Sequence, residues 1–269
     1  MVNIRFGFFL ALSFLCLSAV DAQKYSNEFL AIGVGARAHS MGYATIASSA
    51  DISAGYWNPA GLSGLKTPFQ IQAMHAEWFA GVTQYDYISF GKPLNEERNS
   101  FGSLSLIRLG IDNIPNTLDI IGPDGSIDYD NITKFSNSDY AGFISYGQSL
   151  GIANLSIGGS VKVIRRTIGR FANSWGFGAD LGLRYSKDNL HLALMARDIT
   201  TTFNTWKYDF TEEEKLVLQA TGNTIPVRST ELTLPVFILG AAYNFNIGEN
   251  FSILPEVNMD ISTDGQRNV

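Results

Sequence analysis

The sequence predicts an all-β protein, a transmembrane antiparallel up-and-down β-barrel. Three observations support this fold class: few charges with many glycines and aromatics, long strands that alternate apolar and polar residues, and long connections at one end of those strands only. The 269-residue chain is 45% hydrophobic, 12% aromatic and 16% charged, where an average soluble domain is about 25% charged. Its 26 glycines and its aromatic residues favour strands and tight turns over helices.

Residues 1–22 have the pattern of a secretory signal peptide, for which we predict cleavage after Ala22. Arg5 supplies the positive charge, and the apolar run over 6–20 is too short to cross a bilayer as a helix. The single cysteine, Cys16, lies in this run, so the mature chain is expected to be exported without disulfides. That combination suits a protein of the bacterial envelope, and we predict the outer membrane as its location.

Residues 23–66 form a separate segment that is rich in glycine, alanine and serine and shows no persistent strand pattern. The segment ends in Trp57-Asn58-Pro59-Ala60-Gly61, where proline excludes helical geometry at the preceding residue and glycine allows a turn. We therefore separate it from the region 67–269, in which the strand pattern begins.

Strict alternation of apolar and polar residues defines the strands of region 67–269 and is clearest over 174–185. There Leu181 and Leu183 fall on the apolar face, predicted to contact lipid, while Asp180 and Arg184 fall on the polar face and are predicted to form an ion pair in the lumen. Most strands have the length that a tilted strand needs to cross a bilayer, about 9–11 residues. About nine strands are predicted, over 69–79, 84–92, 101–109, 140–147, 155–163, 174–185, 190–197, 236–245 and 251–262.

Two long connections, 110–138 and 199–230, both follow odd-numbered strands, as the extracellular loops of an up-and-down barrel do. In the second connection, Thr211 and Glu214 form the sequence pattern of a helix capping box, and Gly222 is a candidate helix stop. Three aromatic residues in the same connection are predicted to form an exposed partner-contact surface: Trp206, Tyr208 and Phe210.

The number of strands and the last residues suggest an incomplete barrel. Nine is an unusual strand number for a bacterial barrel, and residues 263–269 read as a turn. Because an open strand edge in lipid leaves unpaired backbone groups, we expect region 67–269 to be a C-terminally truncated barrel.

Several residues support a family resemblance: the run Asn27 to Ala38, Met41-Gly42, the block Ser49 to Leu62, and later Ala196-Arg197-Asp198-Ile199-Thr200. Together they resemble the PorV/PorQ family of FadL-like outer-membrane barrels. The resemblance implies a barrel of about fourteen strands, an N-terminal plug within its lumen, and a link to type IX protein secretion in Bacteroidota. On this reading 23–66 is the plug, and it is anchored by the plug motif Trp57, Asn58, Pro59 and Gly61.

Three other motifs are weaker. Gly33-Val34-Gly35-Ala36-Arg37-Ala38 resembles a dinucleotide-binding loop, but no crossover helices follow, as a parallel βαβ unit requires. His75 and Glu77 share a strand face and could belong to a hydrolase or hold a metal, although no serine is marked as a nucleophile. The acidic residues Asp124, Asp128 and Asp130 lack the spacing of a calcium loop.

Two functions therefore remain from the sequence, and neither is enzymatic. The first is an outer-membrane barrel that takes part in type IX secretion or in attachment of cargo to the cell surface, with lipid and secretion-system proteins or exported cargo as partners. The second is a FadL-like channel for hydrophobic solutes. A secreted soluble β-domain conflicts with the loop positions. The net charge of −6 argues against nucleic-acid binding, and with three histidines and one cysteine we expect no cofactor, metal or catalytic site.

Overall fold

A computed structural model describes residues 26–268, except 96, 98, 119, 121–125, 153, 226–227, 249 and 264–266. The predicted signal peptide 1–22, the first residues of the predicted plug and Asp124 lie outside the described residues. Within the described part, the chain is an all-β, antiparallel up-and-down sheet preceded by an irregular segment, which confirms the coarse fold class. No helix among the described residues is long and apolar enough to cross a membrane.

All nine predicted ranges contain β-strand, several of the strands are much longer than predicted, and further short strands lie outside the predicted ranges. The chain alternates strand and turn from Gln70 onward because apolar and polar side chains alternate and glycine or asparagine residues occupy the turns. The described residues form fourteen strands: β1 Gln70–Trp78, β2 Thr83–Asn95, β3 Ser100–Asn116, β4 Thr133–Ser149, β5 Leu155–Ile168, β6 Ala172–Lys187, β7 Leu190–Arg197, β8 Thr202–Tyr208, β9 Ser229–Thr233, β10 Val236–Tyr243, β11 Phe245–Ile247, β12 Phe251–Ile253, β13 Glu256–Ser262 and β14 Arg267–Asn268.

Sequential strands pair antiparallel in the order β1-β2-β3-β4-β5-β6-β7-β10-β13-β14. In the described part of the chain β1 pairs with β2 alone, so one edge of the sheet is open. Strands β11 and β12 form a hairpin of their own between β10 and β13. The predicted strand 251–262 is therefore wrong as a single element: it is divided at Leu254-Pro255 into β12 and β13, because proline lacks the N–H group that a continuous ladder needs.

Both ends of the predicted long loop 199–230 belong to the sheet. Both β7 and β8 pair antiparallel with the same edge of β6, as the partners Leu181↔Ala196 and Phe177↔Phe203 show. The two strands are therefore one strand that is interrupted at 198–201. Strand β9 pairs with β8, and β10 pairs with β7, so β9 and β10 also continue one another along the neighbouring position in the sheet. The remaining connection runs from 209 to 228. Likewise, β3 and β4 extend into the predicted loop 110–138 and shorten it to 117–132.

The helix predicted within the connection 209–228 is confirmed. It spans Glu212–Ala220, and we name it the loop helix. Thr211 and Glu214 form the reciprocal capping box, and Gly222 follows the helix with a φ of 76°, in the left-handed region that glycine allows.

The two faces of the sheet differ as the alternation predicts. Leu181 and Leu183 are exposed on what we name the outward face, whereas Asp180 is buried on the opposite, inward face. Residues 26–66 cover the inward face, so the main apolar core lies between this segment and strands β2 to β5. Its buried members include Tyr56, Trp57, Tyr85, Ile107, Phe143 and Ile164.

Candidate functional site

A row of three glycines on the inward face receives the N-terminal segment. Gly147 on β4 is registered with Gly158 on β5, which is registered with Gly182 on β6. A Cβ atom at any of the three would collide with Asn58, Pro59 or Ala60. We name this feature the glycine row; it lets the turn at Asn58-Pro59 lie directly against the sheet backbone.

Asn58 joins that turn to the wall. Its side chain is fully buried, and its Nδ2 atom donates to the carbonyl oxygens of Ile46 and Leu183, each at 3.2 Å. Its Oδ1 atom accepts from the N–H of Ala60 at 3.1 Å and caps the 3-10 helix Pro59–Gly64. The side-chain amide of Asn58 thus makes three hydrogen bonds, which join the turn to the rest of the N-terminal segment and to β6.

Trp57 and Tyr56 fill the space above the turn. The Trp57 Nε1 atom donates to the carbonyl oxygen of Val34 at 2.9 Å, and its ring packs edge-on against Tyr56 with centroids 4.9 Å apart. The Tyr56 hydroxyl donates to the carbonyl oxygen of Leu30. Burial raises the pKa of the Tyr56 phenol, so it stays a neutral donor. Trp57 therefore packs within the N-terminal segment and holds its two halves together.

The predicted Asp180–Arg184 pair does not form in the described structure. Asp180 instead accepts from Lys162 Nζ at 2.9 Å, and Lys162 also binds Asp198 at 2.5 Å. Arg184 donates to the carbonyl oxygen of Ser49 at 3.0 Å. Residues i and i+4 on a strand share a face but lie too far apart for a direct pair, whereas neighbouring strands are about 4.8 Å apart.

Lys162, Asp180 and Asp198, which we name the inner ion cluster, are almost completely buried. The backbone N–H of Asp198 donates to Asp180 Oδ1 at 2.7 Å, and Ser160 donates to Asp180 Oδ2 at 3.1 Å. One ammonium group is therefore shared by two carboxylates, and the other carboxylate lone pairs have further donors. A buried charge is tolerated only when paired in this way.

The interruption between β7 and β8 places Asp198 in this cluster. Asp198 and Thr201 have φ values of 55° and 58°, in the left-handed region that a β-branched residue such as threonine rarely adopts. Thr202 donates to the Asp198 carboxylate, and the N–H of Ile199 donates to the carbonyl oxygen of Ala179 at 2.9 Å. The strained bulge thus turns one carboxylate inward.

The start of the described segment is held by strands β8 and β9. Asn204 Nδ2 donates to Ser26 Oγ at 2.7 Å and to Asn27 Oδ1 at 2.9 Å, while Asn27 donates to Thr233 at 3.1 Å. The Arg166 guanidinium lies against both Phe29 and Trp206, with its Cζ atom 5.9 and 5.2 Å from the two ring centroids. The N-terminal segment is thus attached at both ends of the inward face.

The aromatic residues predicted to form a partner surface lie elsewhere. Trp206 is buried in β8 on the inward face, and Tyr208 and Phe210 are partly buried and stack in series beside it, with centroids 6.4 and 6.5 Å apart. Phe210 also stacks on Phe171 at 5.8 Å. The prediction of an exposed aromatic loop is corrected: because β8 continues β7, its alternate residues face inward.

The loop helix is the exposed feature of that connection. Its Leu216 side chain is exposed, and it is fixed from beneath by a two-pronged ion pair between Glu214 and Arg170. Burial alone would raise the pKa of Glu214, but hydrogen bonds from Thr211 and from the Arg170 guanidinium outweigh it and hold the pKa below its usual value. Glu214 therefore remains ionised and keeps the helix attached.

Two cavities lie between the N-terminal segment and the wall, with Arg197 and Ala31 lining both. The first, of about 300 Å³, is bordered by Tyr56, Phe143 and the inner ion cluster. The second, of about 430 Å³, is bordered by Tyr43, Trp57, Glu256 and Asp260. The Arg197 guanidinium lies 5.4 Å from the Tyr56 ring centroid, and its Nη2 atom is buried without a hydrogen-bond partner in the described structure.

This arrangement is suited to holding a segment in place. Lys162 is bound to two carboxylates, so its amine is not available as a nucleophile. The described residues contain no group of three histidine, cysteine or acidic side chains that could hold a metal. His75 is exposed on the outward face, where its Nδ1 atom lies 2.7 Å from Asp86.

The residues that the sequence reasoning missed are the glycine row, Lys162 and Asp198. Alternation already places Lys162 on the polar face, but only the strand register brings it beside Asp180. No protein-family model and no curated protein matches the chain.

Proposed function

We propose that the chain is a non-enzymatic outer-membrane β-barrel of the PorV/PorQ type, acting in type IX secretion or in attachment of cargo at the cell surface. The N-terminal segment 26–66 serves as its plug. The resemblance at residues 27–62 and 196–200 supports this assignment, because the residues that carry it are those that dock the plug and form the strained bulge.

One observation carries the membrane part of the proposal: the outward face is apolar across the sheet and is bounded by a polar row. Registered partners Ile71, Phe90, Leu104, Ile144, Val161 and Ala179 form one outward row. Four residues along each strand, toward the end of the sheet that carries the connection 117–132, the outward row consists of His75, Asp86, Arg108, Tyr140, Arg165 and Trp175. An apolar band that ends in charged and aromatic side chains is the pattern of a lipid-facing barrel wall.

The loop helix is the proposed working surface for a protein partner. It lies at the same end of the sheet as the connection 117–132, and its exposed Leu216 is held outward by the Glu214–Arg170 pair. Exposed apolar residues with a polar rim are typical of transient interfaces. This assignment replaces the predicted aromatic surface, because Trp206 is buried in β8 and Tyr208 and Phe210 are partly buried in a stack beside it.

Deletion of 212–222 from the full-length protein tests the proposal. The remaining residues 209–211 and 223–228 can still connect β8 to β9, so the wall should fold and keep its heat-modifiable mobility on gels. We expect loss of partner capture from native outer membranes and loss of cargo at the surface. The matched point variants are Leu216→Ser, expected to weaken capture, and Gln219→Ser on the same helix, expected to leave it unchanged.

The second candidate function is a channel for hydrophobic solutes, favoured by the two cavities that meet at Arg197. A channel would keep normal export after deletion of 212–222. Its uptake of a hydrophobic compound should instead change with Trp57→Ala, because that substitution loosens the segment that separates the cavities. That pair of results would replace the secretion proposal with the channel.

A further inference from the structure

The β11–β12 hairpin is an unusual surface feature. It is separate from the main sheet, and the side chains of its two strands are exposed. Phe245 is paired with Ile253, and Ile247 is paired with Phe251, so four apolar side chains share one face of the hairpin. Asn246 and Ser252 occupy the other face. Contiguous exposed apolar side chains of this kind mark sites of contact with a partner or a membrane.

The apolar face of the hairpin continues the outward face of the wall. Along β10, Phe237, Leu239 and Tyr243 are exposed and outward, and Phe245 follows with the same parity and lies 4.7 Å from Tyr243 between ring centroids. On the return side, Ile253 is followed by Leu254, which packs inward, and then by outward Val257. Alternation is therefore unbroken through the hairpin.

The outward apolar side chains of β5 and β6 reach the lower part of the sheet. The last of them, Leu155 on β5 and Tyr185 on β6, are registered partners and lie three rows below the registered pair Val161 and Ala179. Each row spans two residues, or about 6.6 Å. On these two strands the apolar band therefore extends about 20 Å below the row of Val161 and Ala179.

On the next two strands of the sheet, β7 and β10, the outward apolar side chains continue below the level of Tyr185. Tyr243 is registered with Leu190 and through it with Lys187, one row below Tyr185, and Phe245 is one row lower still. Phe245, at the base of the hairpin, therefore lies one row beyond the registered outward pair Leu190 and Tyr243 and extends the apolar band.

We infer that the β11–β12 hairpin is seated in the lipid at the membrane boundary, with Phe245 and Ile253 against acyl chains and Ile247 and Phe251 at the headgroup level. It is a lipid-binding extension of the wall and not an aqueous turn. The hydrogen bond from the N–H of Asn244 to the carbonyl oxygen of Asn189, at 2.8 Å, fixes its base beside the β6–β7 turn. The inference rests on the proposed membrane location of the barrel.

Site-directed spin labelling tests it in the full-length mature protein, reconstituted in phosphatidylethanolamine–phosphatidylglycerol vesicles. The only cysteine of the chain is Cys16, within the predicted signal peptide, so labels can be introduced singly. Collision with oxygen, which enters lipid, is compared with collision with a water-soluble nickel chelate. The labelled variants are Phe245→Cys and, on the opposite hairpin face, Asn246→Cys, with Leu181→Cys as the lipid reference and Glu212→Cys as the aqueous reference.

The expected oxygen-to-nickel ratio at Phe245→Cys is close to that at Leu181→Cys and several-fold above that at Glu212→Cys, with Asn246→Cys between them. A lipid-like ratio at Leu181→Cys with an aqueous ratio at Phe245→Cys would overturn the hairpin inference and leave the barrel proposal standing. Shielding of Phe245→Cys from both reagents would indicate protein burial and also overturn it. An aqueous ratio at Leu181→Cys would overturn the membrane proposal and the hairpin inference together.

Discussion

Gly158→Ala should displace the N-terminal segment from the sheet while leaving the strands paired. A Cβ atom at Gly158 would approach the backbone of Pro59 and Ala60 to well under 3.0 Å, and backbone atoms on both sides cannot move away by a change of rotamer. Overpacking of this kind costs about 1–3 kcal/mol. The matched control is Gly142→Ala on β4, where nothing lies within 4 Å and where alanine should stabilise the strand by about 0.5–1 kcal/mol.

The two substitutions are compared by urea titration of the protein folded in phospholipid vesicles. Plug docking is followed separately in the Ser63→Cys/Ser156→Cys background, since the two serine Oγ atoms lie 2.8 Å apart and cysteines there should cross-link on mild oxidation. We expect Gly158→Ala to slow cross-linking and Gly142→Ala to leave it unchanged. Equal cross-linking rates and equal unfolding free energies for the two variants would refute the docking role of the glycine row.

Three further predictions follow from the ion pairs and the outward face. Lys162→Met should cost about 3–5 kcal/mol because it leaves Asp180 and Asp198 buried without a counter-charge, and neutralising both carboxylates in the same variant should recover most of that loss in urea titrations. The pKa of Glu214 is lowered in the folded protein, so its stabilisation of the loop helix is complete above the unfolded-state pKa of about 4.3 and is lost as the pH falls through the lower folded-state pKa. In the wild-type protein, hydrogen exchange of the loop helix should therefore become faster as the pH falls through this range. Glu214→Gln should abolish this pH dependence. Leu181→Arg, near the middle of the apolar band, should cost about 2–4 kcal/mol in vesicles.

Each of these predictions has a control at an exposed position. Lys207→Met and Glu213→Gln change the same chemical groups as Lys162→Met and Glu214→Gln but lie on the surface, and Leu216→Arg places the same charge on the loop helix. Surface changes of this kind usually fall within about 0.5 kcal/mol of zero. A loss at Lys207→Met as large as that at Lys162→Met would contradict the importance of the inner ion cluster, and a Leu181→Arg variant as stable as Leu216→Arg would contradict the lipid-facing assignment.

The alternation of side chains along the strands was predictable because it depends on local geometry alone. Leu181 and Asp180 point to opposite faces wherever the strand is placed, and a change of partner strand does not alter that. The capping box at Thr211 and Glu214 was predictable for the same reason, since both of its hydrogen bonds join residues three apart. The plug motif was recognisable because asparagine before proline and glycine dictates a turn.

Partners across strands were not predictable, because register is a tertiary property. Asp180 faces Lys162 only because β5 and β6 pair with Ser160 opposite Asp180, and the glycine row exists only because that register and the β4–β5 register agree. The extension of the wall beyond residue 198 was missed because the bulge at 198–201 breaks the alternation and imitates the start of a loop.

By itself, the sequence determined which residues of this protein face inward and outward, where its loop helix begins and which turn ends its N-terminal segment. Each of these depends on interactions within a few residues. The tertiary structure alone decided that Lys162 and not Arg184 neutralises Asp180, that Trp206 is buried on the inward face, and that the N-terminal segment rests on three glycines. Those contacts join residues far apart in the chain, so their energies depend on strand register and close packing, which local patterns do not encode.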